Sequence, residues 1–490
     1  MRLRLVGLGV SIALAFAPGA PSAQPVGLPS MGASSAAELS PAVERLLGDA
    51  IMEQGRHDPT YIADLDVNQY LTQMGRGLAA HAPQPIGQRI TVFPVRDPSI
   101  NAFALPGGYI GINSGLIVAS DSESELAAVM AHEIGHVMQR HIARGITQQA
   151  QGTGIMVASM VGALLAALAG QGNLAMGVAT FGQAAAIDQQ LGFSRSAEQE
   201  ADRAGFQMMR KAGYDVRGMV AMFQRLMNAS RLNEGGGGGS YASTHPLSIQ
   251  RMSDIENRVR EVPVHAHQDS PSYWYVRSRL SLMQARDTSA RQRAIQALEH
   301  DSTHAKGIQR SAAWYGLAWL AWQEKDYAAA RTALDKAREG GSGPQLDVLA
   351  MNLNQATRAP DALGFAQAAW KRRPDSQAVA QALARAMQAA GQDQAVVPFL
   401  QARIKQWPDI PEFRKALADS YDRLGQPVEA RRAMAGYYER TGALPTAVEL
   451  LQQARSLSKD FYVQSEIDVR IRQLRERLDN QRALLEQFKS

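Results

Sequence analysis

Apolar and polar positions change rhythm several times along this chain, and each change marks an element. An unbroken apolar run, Leu5 to Ala17, follows Arg2 and Arg4 and leads into the small residues of Pro18–Ala23. Basic, apolar and small residues in that order are the pattern of a cleaved export signal, so 1–23 is expected to be a signal peptide and 24–40 a flexible lead-in. The run is too short to span a bilayer comfortably. Helical spacing near 41–54 and 60–82 predicts two helices, and the β-rich Arg89–Val95 predicts a strand. A second extended stretch, Asn101–Asn113, contains Pro106-Gly107-Gly108, which is expected to bend or bulge it. Next, Asp121 or Ser122 is placed to cap a helix with Glu123 and Glu125 in its first turn, and that helix runs through Ala131–His141.

Two later segments break the alternation. The Ala/Gly-rich 154–187 opens with Gly154–Gly170, just short of a membrane span and without Lys, Arg or aromatic anchors. A buried or lid-like helical hairpin is expected there, with a membrane-inserted hairpin as the alternative and peripheral membrane contact through 154–187 as a further partner reading. The run Gly235–Gly239 reads as a flexible loop just before Thr244-His245-Pro246, where another helix begins.

From about 272 onward short amphipathic helices alternate with tight polar turns. Pro374-Asp375 recurs as Pro408-Asp409 and Gly391 recurs as Gly425, both 34 residues apart, and Glu324–Leu334 fits the same template. A helical period of about 34 residues is that of tetratricopeptide repeats. The expected architecture is therefore an α+β domain over 41–262, followed by an all-α tetratricopeptide-repeat solenoid over 272–488.

Composition narrows the chemistry. At 490 residues, with 45 % hydrophobic and 20 % charged residues, the chain has room for two or more cores. A net charge of +5 with no basic stripe does not suit nucleic acid. The chain has no cysteine, so any metal must be held by histidines and carboxylates.

Those residue types gather in "AHEIGHVMQRH". His132 and His136, four apart on a helix, differ by only about 40° around its axis and can reach one ion. Glu133 stands beside them as a base for a zinc-activated water. The three-residue pattern arises by chance in about one chain in a hundred, so a third ligand is needed. Gln139 and Ile142 stand where a metzincin would have Gly and His. His141 is turned about 180° from His132 on an ideal helix, which suits a solvated or supporting histidine better than a ligand. The better third ligand is Glu198 in Ser194–Arg203, with Asp202 on the same helix face to accept the N–H of a ligand histidine, a gluzincin arrangement. Glu200 faces about 200° away from Glu198. His245 and Arg251 are further candidates. Either could approach the oxyanion formed when water attacks a carbonyl, His245 could instead fill the open zinc position, and a plain helix-start turn is the third reading. The Asn101–Gly111 strand could hold an extended peptide by edge addition, or be an interior strand.

Together these motifs resemble the M48 family of zinc metallopeptidases: His132-Glu133-x-x-His136, Glu198-x-x-x-Asp202, the Asn101–Gly108 strand, and Thr244-His245-Pro246 with Arg251. An export signal before them and repeats after them are similar to the exported members that act on outer-membrane β-barrel proteins. The resemblance implies one Zn2+ per chain on His132, His136 and Glu198, Glu133 as general base, and a regulatory or transition-state role for His245 and Arg251. It also implies a periplasmic location and quality control of unfolded or misassembled outer-membrane proteins, with docking on the β-barrel assembly machinery through the repeats. A repeat-based periplasmic chaperone or scaffold with a mostly plugged metal site is the alternative, and hydrolysis of a non-protein amide such as a cell-wall peptide is a third.

Overall fold

The computed structural model describes residues 40–144, 193–232, 241 and 245–487. The expected export signal, the expected lead-in up to residue 39, the expected hairpin over 154–187 and the expected loop over Gly235–Gly239 lie outside the described residues. Helix α1 (Pro41–Gly55) starts at Ser40, whose side chain accepts from the Val43 N–H, and α2 (Leu65–Ala79) is capped the same way by Asp64. The apolar face of α2, with Val67, Leu71, Met74 and Leu78, joins the main core.

Three short strands form a sheet of order β1-β3-β2. Strand β1 (Thr91–Val95) runs parallel to β3 (Tyr109–Asn113), and β2 (Ala102–Leu105) runs antiparallel to β3 with Ala104 opposite Ile110. Pro94 cannot donate a ladder bond and sits on edge strand β1, where that loss is tolerated. The expected single bent strand is instead a hairpin. Gly107 and Gly108 take φ of +81° and +80° inside a 3-10 turn, so two left-handed residues in succession reverse the chain.

Helix α3 (Ser114–Ala119) leads into α4 (Glu123–Met138), the centre of the domain. Of the two candidate caps it is Ser122 that accepts from the Glu125 N–H, while Glu125 Oε2 accepts from Asp121 N at 3.0 Å, a near-relative of the capping box. Every residue of α4 except Val137 is buried, which places its histidines and Glu133 away from water. Onto it pack α5 (Arg195–Ala212) and α6 (Arg217–Leu232), and α7 (Ile249–Arg260) packs on those two.

The remaining helices run in pairs: α8 (Pro271–Met283) with α9 (Thr288–His304), α10 (Gly307–Gln323) with α11 (Tyr327–Gly340), α12 (Pro344–Ala356) with α13 (Ala362–Arg372), α14 (Gln377–Ala389) with α15 (Asp393–Gln406), α16 (Pro411–Arg423) with α17 (Pro427–Arg440), and α18 (Leu444–Leu457) with α19 (Phe461–Gln487). Four of the turns within pairs share one device. Lys325, Arg358, Gly391 and Gly425 are left-handed and follow one another at 33, 33 and 34 residues. After each, the next N–H reaches back to a carbonyl five residues earlier: Asp326 to Ala321, Ala359 to Asn354, Gln392 to Met387 and Gln426 to Tyr421, at 2.8–3.0 Å. That is the Schellman helix stop, which satisfies orphan carbonyls and resets the chain direction at each repeat.

The first pairs share the core of the N-terminal helices and sheet rather than having a separate one: Tyr273, Tyr275, Tyr315 and Leu346 belong to the same buried cluster as α2 and α4. Buried Arg279 of α8 bonds Asp64 at 2.9 Å and lies 3.7 Å from Asp66. Later pairs return to α1 and α2. Gln69 donates to the Asp375 carbonyl at 2.6 Å and accepts from Gln377 N at 2.8 Å, His57 bonds the Thr441 carbonyl at 2.7 Å, and Arg477 pairs with Glu53. No helix among the described residues is long and apolar enough to cross a membrane.

Candidate metal centre and active site

Two glycines set the geometry of the site. A Cβ on Gly135 of α4 would stand 2.9 Å from the Ala201 backbone of α5, and one on Gly205 would stand 3.2 Å from the backbone of Ala131 and His132. Only hydrogen fits at this crossing, and the close approach brings the Glu198–Asp202 face of α5 onto the His132–His136 face of α4. His136 Nε2 lies 3.0 Å from His132 Nε2 and 3.5 Å from Glu198 Oε1. His132 Nε2 lies 3.4 Å from Glu198 Oε2.

His245 enters the same space from the segment before α7. Its Nδ1 is 3.0 Å from Glu198 Oε1 and 3.4 Å from His132 Nε2, and its Nε2 is 3.4 Å from Glu133 Oε1. One ligand atom from each of His132, His136, Glu198 and His245 lies within 4.8 Å of every other, and all four residues are buried. Glu133 Oε2 and His245 Nε2 are buried without a hydrogen-bond partner. Three imidazole nitrogens and one carboxylate, converging in a dry site, are a donor set that fits a divalent cation of the nitrogen- and oxygen-binding kind.

Each helix histidine has its own support. The Nδ1 of His132 bonds Asp202 Oδ1 at 2.9 Å, and Arg251 grips Asp202 at 2.8 and 2.9 Å while its Nη1 reaches Glu198 Oε2 at 2.6 Å. Burial would pull the His132 pKa down, but the bonds to Asp202 and Glu198 hold it up at about 10. Burial raises the Asp202 and Glu198 carboxyls, yet Arg251 and His132 beside Asp202, and the charges of His245 and His132 beside Glu198, hold both below the usual range. Burial, followed by the charge of His132, pushes His136 well down.

The support of His136 is His141. Arg140 has φ of +55°, so the helical count from His132 is interrupted one residue before His141. The ideal-helix expectation of an opposite-facing His141 therefore fails in position. It is buried, with Nδ1 2.9 Å from His136 Nδ1 and Nε2 3.5 Å from Glu200 Oε2. Burial and the charge of Arg144 push His141 down to about 4, so it is neutral and carries one N–H. With Nε2 of His136 turned to the cluster, its Nδ1–H donates to His141, whose Nε2–H points to Glu200.

With that geometry in view, residues 66–259 match Peptidase family M48. The chain is 31 % identical over 464 residues to the beta-barrel assembly-enhancing protease of Yersinia pestis, covering 91 % of each chain. It is 30 % identical over 455 residues to the protein of that name in Escherichia coli, covering 92 % of this chain and 91 % of the relative. A Vibrio cholerae relative named for the same activity is 39 % identical over 247 residues, about half of each chain at 49 %.

This chain belongs to peptidase family M48.

The peptidase is thus a metalloendopeptidase, and the buried His132, His136, Glu198 and His245 group could hold its metal. All seven candidate residues meet: the four donors, Glu133 beside them, and Asp202 with Arg251 behind them. Arg251 departs from one reading of its role. Its guanidinium is engaged by Asp202, Glu198 and the Pro246 carbonyl (2.9 Å), rather than standing free for an oxyanion. Two side chains, Tyr241 and Phe193, escaped the sequence reading, and Glu200 was read there only as turned away from Glu198. Tyr241 donates to Glu133 Oε1 at 3.1 Å and stacks on His245 at 4.4 Å, Phe193 lies 4.1 Å from the His136 ring, and Glu200 meets His141. Only Tyr241 left a signal, its four-residue spacing from His245. A second group among the described residues, Glu123, His267 and Asp269, looks ligand-like, but Glu123 is already held by Tyr70, His267 and both donors of Ser270. It ties the N-terminus of α4 to that of α8.

Proposed function

We propose that this peptidase is an exported zinc-dependent endopeptidase acting in quality control of outer-membrane β-barrel proteins, with a gluzincin-type domain over 41–262 and a tetratricopeptide-repeat solenoid over 272–488. The observation that carries the catalytic part is the buried convergence of His132, His136, Glu198 and Glu133. His132, His136 and Glu198 would hold one zinc ion, which when bound would supply the Lewis acidity that makes water nucleophilic near neutral pH. Glu133 takes the proton of the attacking water, with its unpartnered Oε2 as acceptor, and passes it to the leaving amine of the cleaved peptide bond. Asp202 holds His132 with Nε2 toward the cluster, and Arg251 holds Asp202 and Glu198 in place. Edge strand β2, packed against α4, offers main-chain groups to an extended substrate.

The biological part rests on the names of the relatives, beta-barrel assembly-enhancing proteases, and on the export pattern of residues 1–23. On that reading the location is periplasmic, the clients are unfolded or misassembled outer-membrane proteins, and the repeats dock on the β-barrel assembly machinery. His245 supports a further feature: as a fourth donor it takes the position that a substrate water needs, so the resting enzyme is restrained. The same observation favours the second reading, a repeat-based chaperone whose site stays plugged.

Zinc content, with cleavage of casein and of an unfolded β-barrel, separates these readings. One zinc per chain, cleavage lost in Glu133→Gln and increased in His245→Ala, is the expected result. Bound zinc without cleavage in any of the three proteins would leave the scaffold, and absence of zinc would remove the site.

A further inference from the structure

Tyr241 and His245, four residues apart in sequence, are joined by a hydrogen bond from His245 N to the Tyr241 carbonyl at 2.9 Å. Both are buried, with Tyr241 3 % exposed and His245 fully covered. The Tyr241 ring stacks on the imidazole at 4.4 Å with planes 24° apart, and its hydroxyl donates to Glu133 Oε1 at 3.1 Å. His245 Nε2 approaches that same oxygen at 3.4 Å.

We infer that Tyr241 is a positioning residue that restrains the enzyme through its base: its hydroxyl holds Glu133 while its ring keeps His245 on the ligand cluster. The inference rests on the zinc-peptidase reading above and adds a second arm to it. His245 occupies the ligand position, and Tyr241 occupies the carboxylate that must accept the water proton. The phenol bond to Oε1 fixes the orientation of the carboxylate, and with it that of Oε2, the oxygen that takes the proton. Because the two rings are stacked and their backbones are joined by a hydrogen bond, displacing His245 also withdraws the phenol, so the metal position and the base are released in the same event. A hydrogen bond made only in the restrained state lowers the released population by the Boltzmann factor of its free energy.

The test uses the full zinc-loaded chain and two readouts, the rate at which pyridylazoresorcinol extracts zinc and the rate of casein cleavage. Thermal melting establishes that each variant is folded. Tyr241→Phe keeps the ring and loses the hydroxyl, so both rates are expected to rise by about fivefold, the factor a typical single hydrogen bond controls. Tyr241→Ala removes the ring as well and should move zinc extraction further toward that of His245→Ala. In a His245→Ala background, Tyr241→Phe should add nothing to zinc extraction. Unchanged extraction in folded Tyr241→Phe would overturn the inference, and so would a fall in cleavage in both backgrounds, which would make the phenol a group acting on substrate. If no variant cleaves, the peptidase reading fails on its own, while zinc extraction still tests the two-armed restraint.

Discussion

The α4–α5 core and the paired helices that follow α7 solve opposite problems. In the core, the groups that matter are polar, buried and brought from distant parts of the chain: Glu198 to His136, His245 to Glu198, Arg251 to Asp202. In the pairs, helices pack mainly on helices one or two places away in the chain, and the recurring device is a local turn closed at Lys325, Arg358, Gly391 or Gly425. The core therefore depends on long-range fit and on completed polar pairing, whereas the pairs depend on a repeated local stop. A defect in the first should damage chemistry before stability, and a defect in the second should do the reverse.

The sharpest separation is expected from Glu133→Gln, which should lower peptide cleavage roughly thousandfold, the scale of a lost general base, with little change in the melting temperature or zinc content. Asp202→Ala comes next. It frees His132 to rotate and strands the buried Arg251 charge, so zinc affinity should fall about a hundredfold by competition titration, with a stability loss of about 3 kcal/mol by denaturant melting.

A matched glycine pair tests the comparison directly. Gly135→Ala places a methyl 2.9 Å from the Ala201 backbone and should cost about 2 kcal/mol while loosening zinc binding. Gly391→Ala meets no neighbouring atom but must hold φ of +69°, so it should cost about 1 kcal/mol and leave zinc affinity unchanged. Equal zinc loss in both would erase the distinction between the regions. His141→Phe should weaken zinc about tenfold, less than Asp202→Ala, because its outer partner Glu200 is a half-open carboxylate at 3.5 Å.

The smallest effect concerns the joint between the regions. Burial pushes Asp66 up to about 7, with Arg279 pulling the other way. A carboxyl raised above its unfolded value binds a proton in the folded state, so its stabilisation is fully present below about pH 4 and is lost as pH rises through about 7. Asp66→Asn should remove that dependence, and urea melts of both proteins between pH 4 and 8 would detect it.

Much of this was legible in the residues. Helical spacing put His132 and His136 on one face and paired Glu198 with Asp202, and the 34-residue recurrence of Gly391 and Gly425 placed two of the left-handed turns. Less was legible at irregular points. Pro106–Gly108 read as a kink in one strand because a reversal needs both glycines left-handed, a choice that the β2–β3 pairing stabilises. His141 was misdirected by extrapolating an ideal helix past Arg140. Arg251 looked available for an oxyanion because its carboxylate partners lie about fifty residues earlier in the chain.

What the sequence by itself determined was local: that α4 starts at Asp121 or Ser122, which side chains share a turn, and the period at which helices stop. These follow from backbone geometry and capping within a few residues. What only the tertiary structure decided was which of those faces meet and which groups lose water. The Gly135–Ala201 crossing sets the distance from Glu198 to the histidines, the left-handed Arg140 returns His141 to His136, and one stretch of chain carries both Tyr241 and His245 onto the site. Their strength comes from burial and from contacts between residues far apart in the chain, and both exist only once the helices have packed.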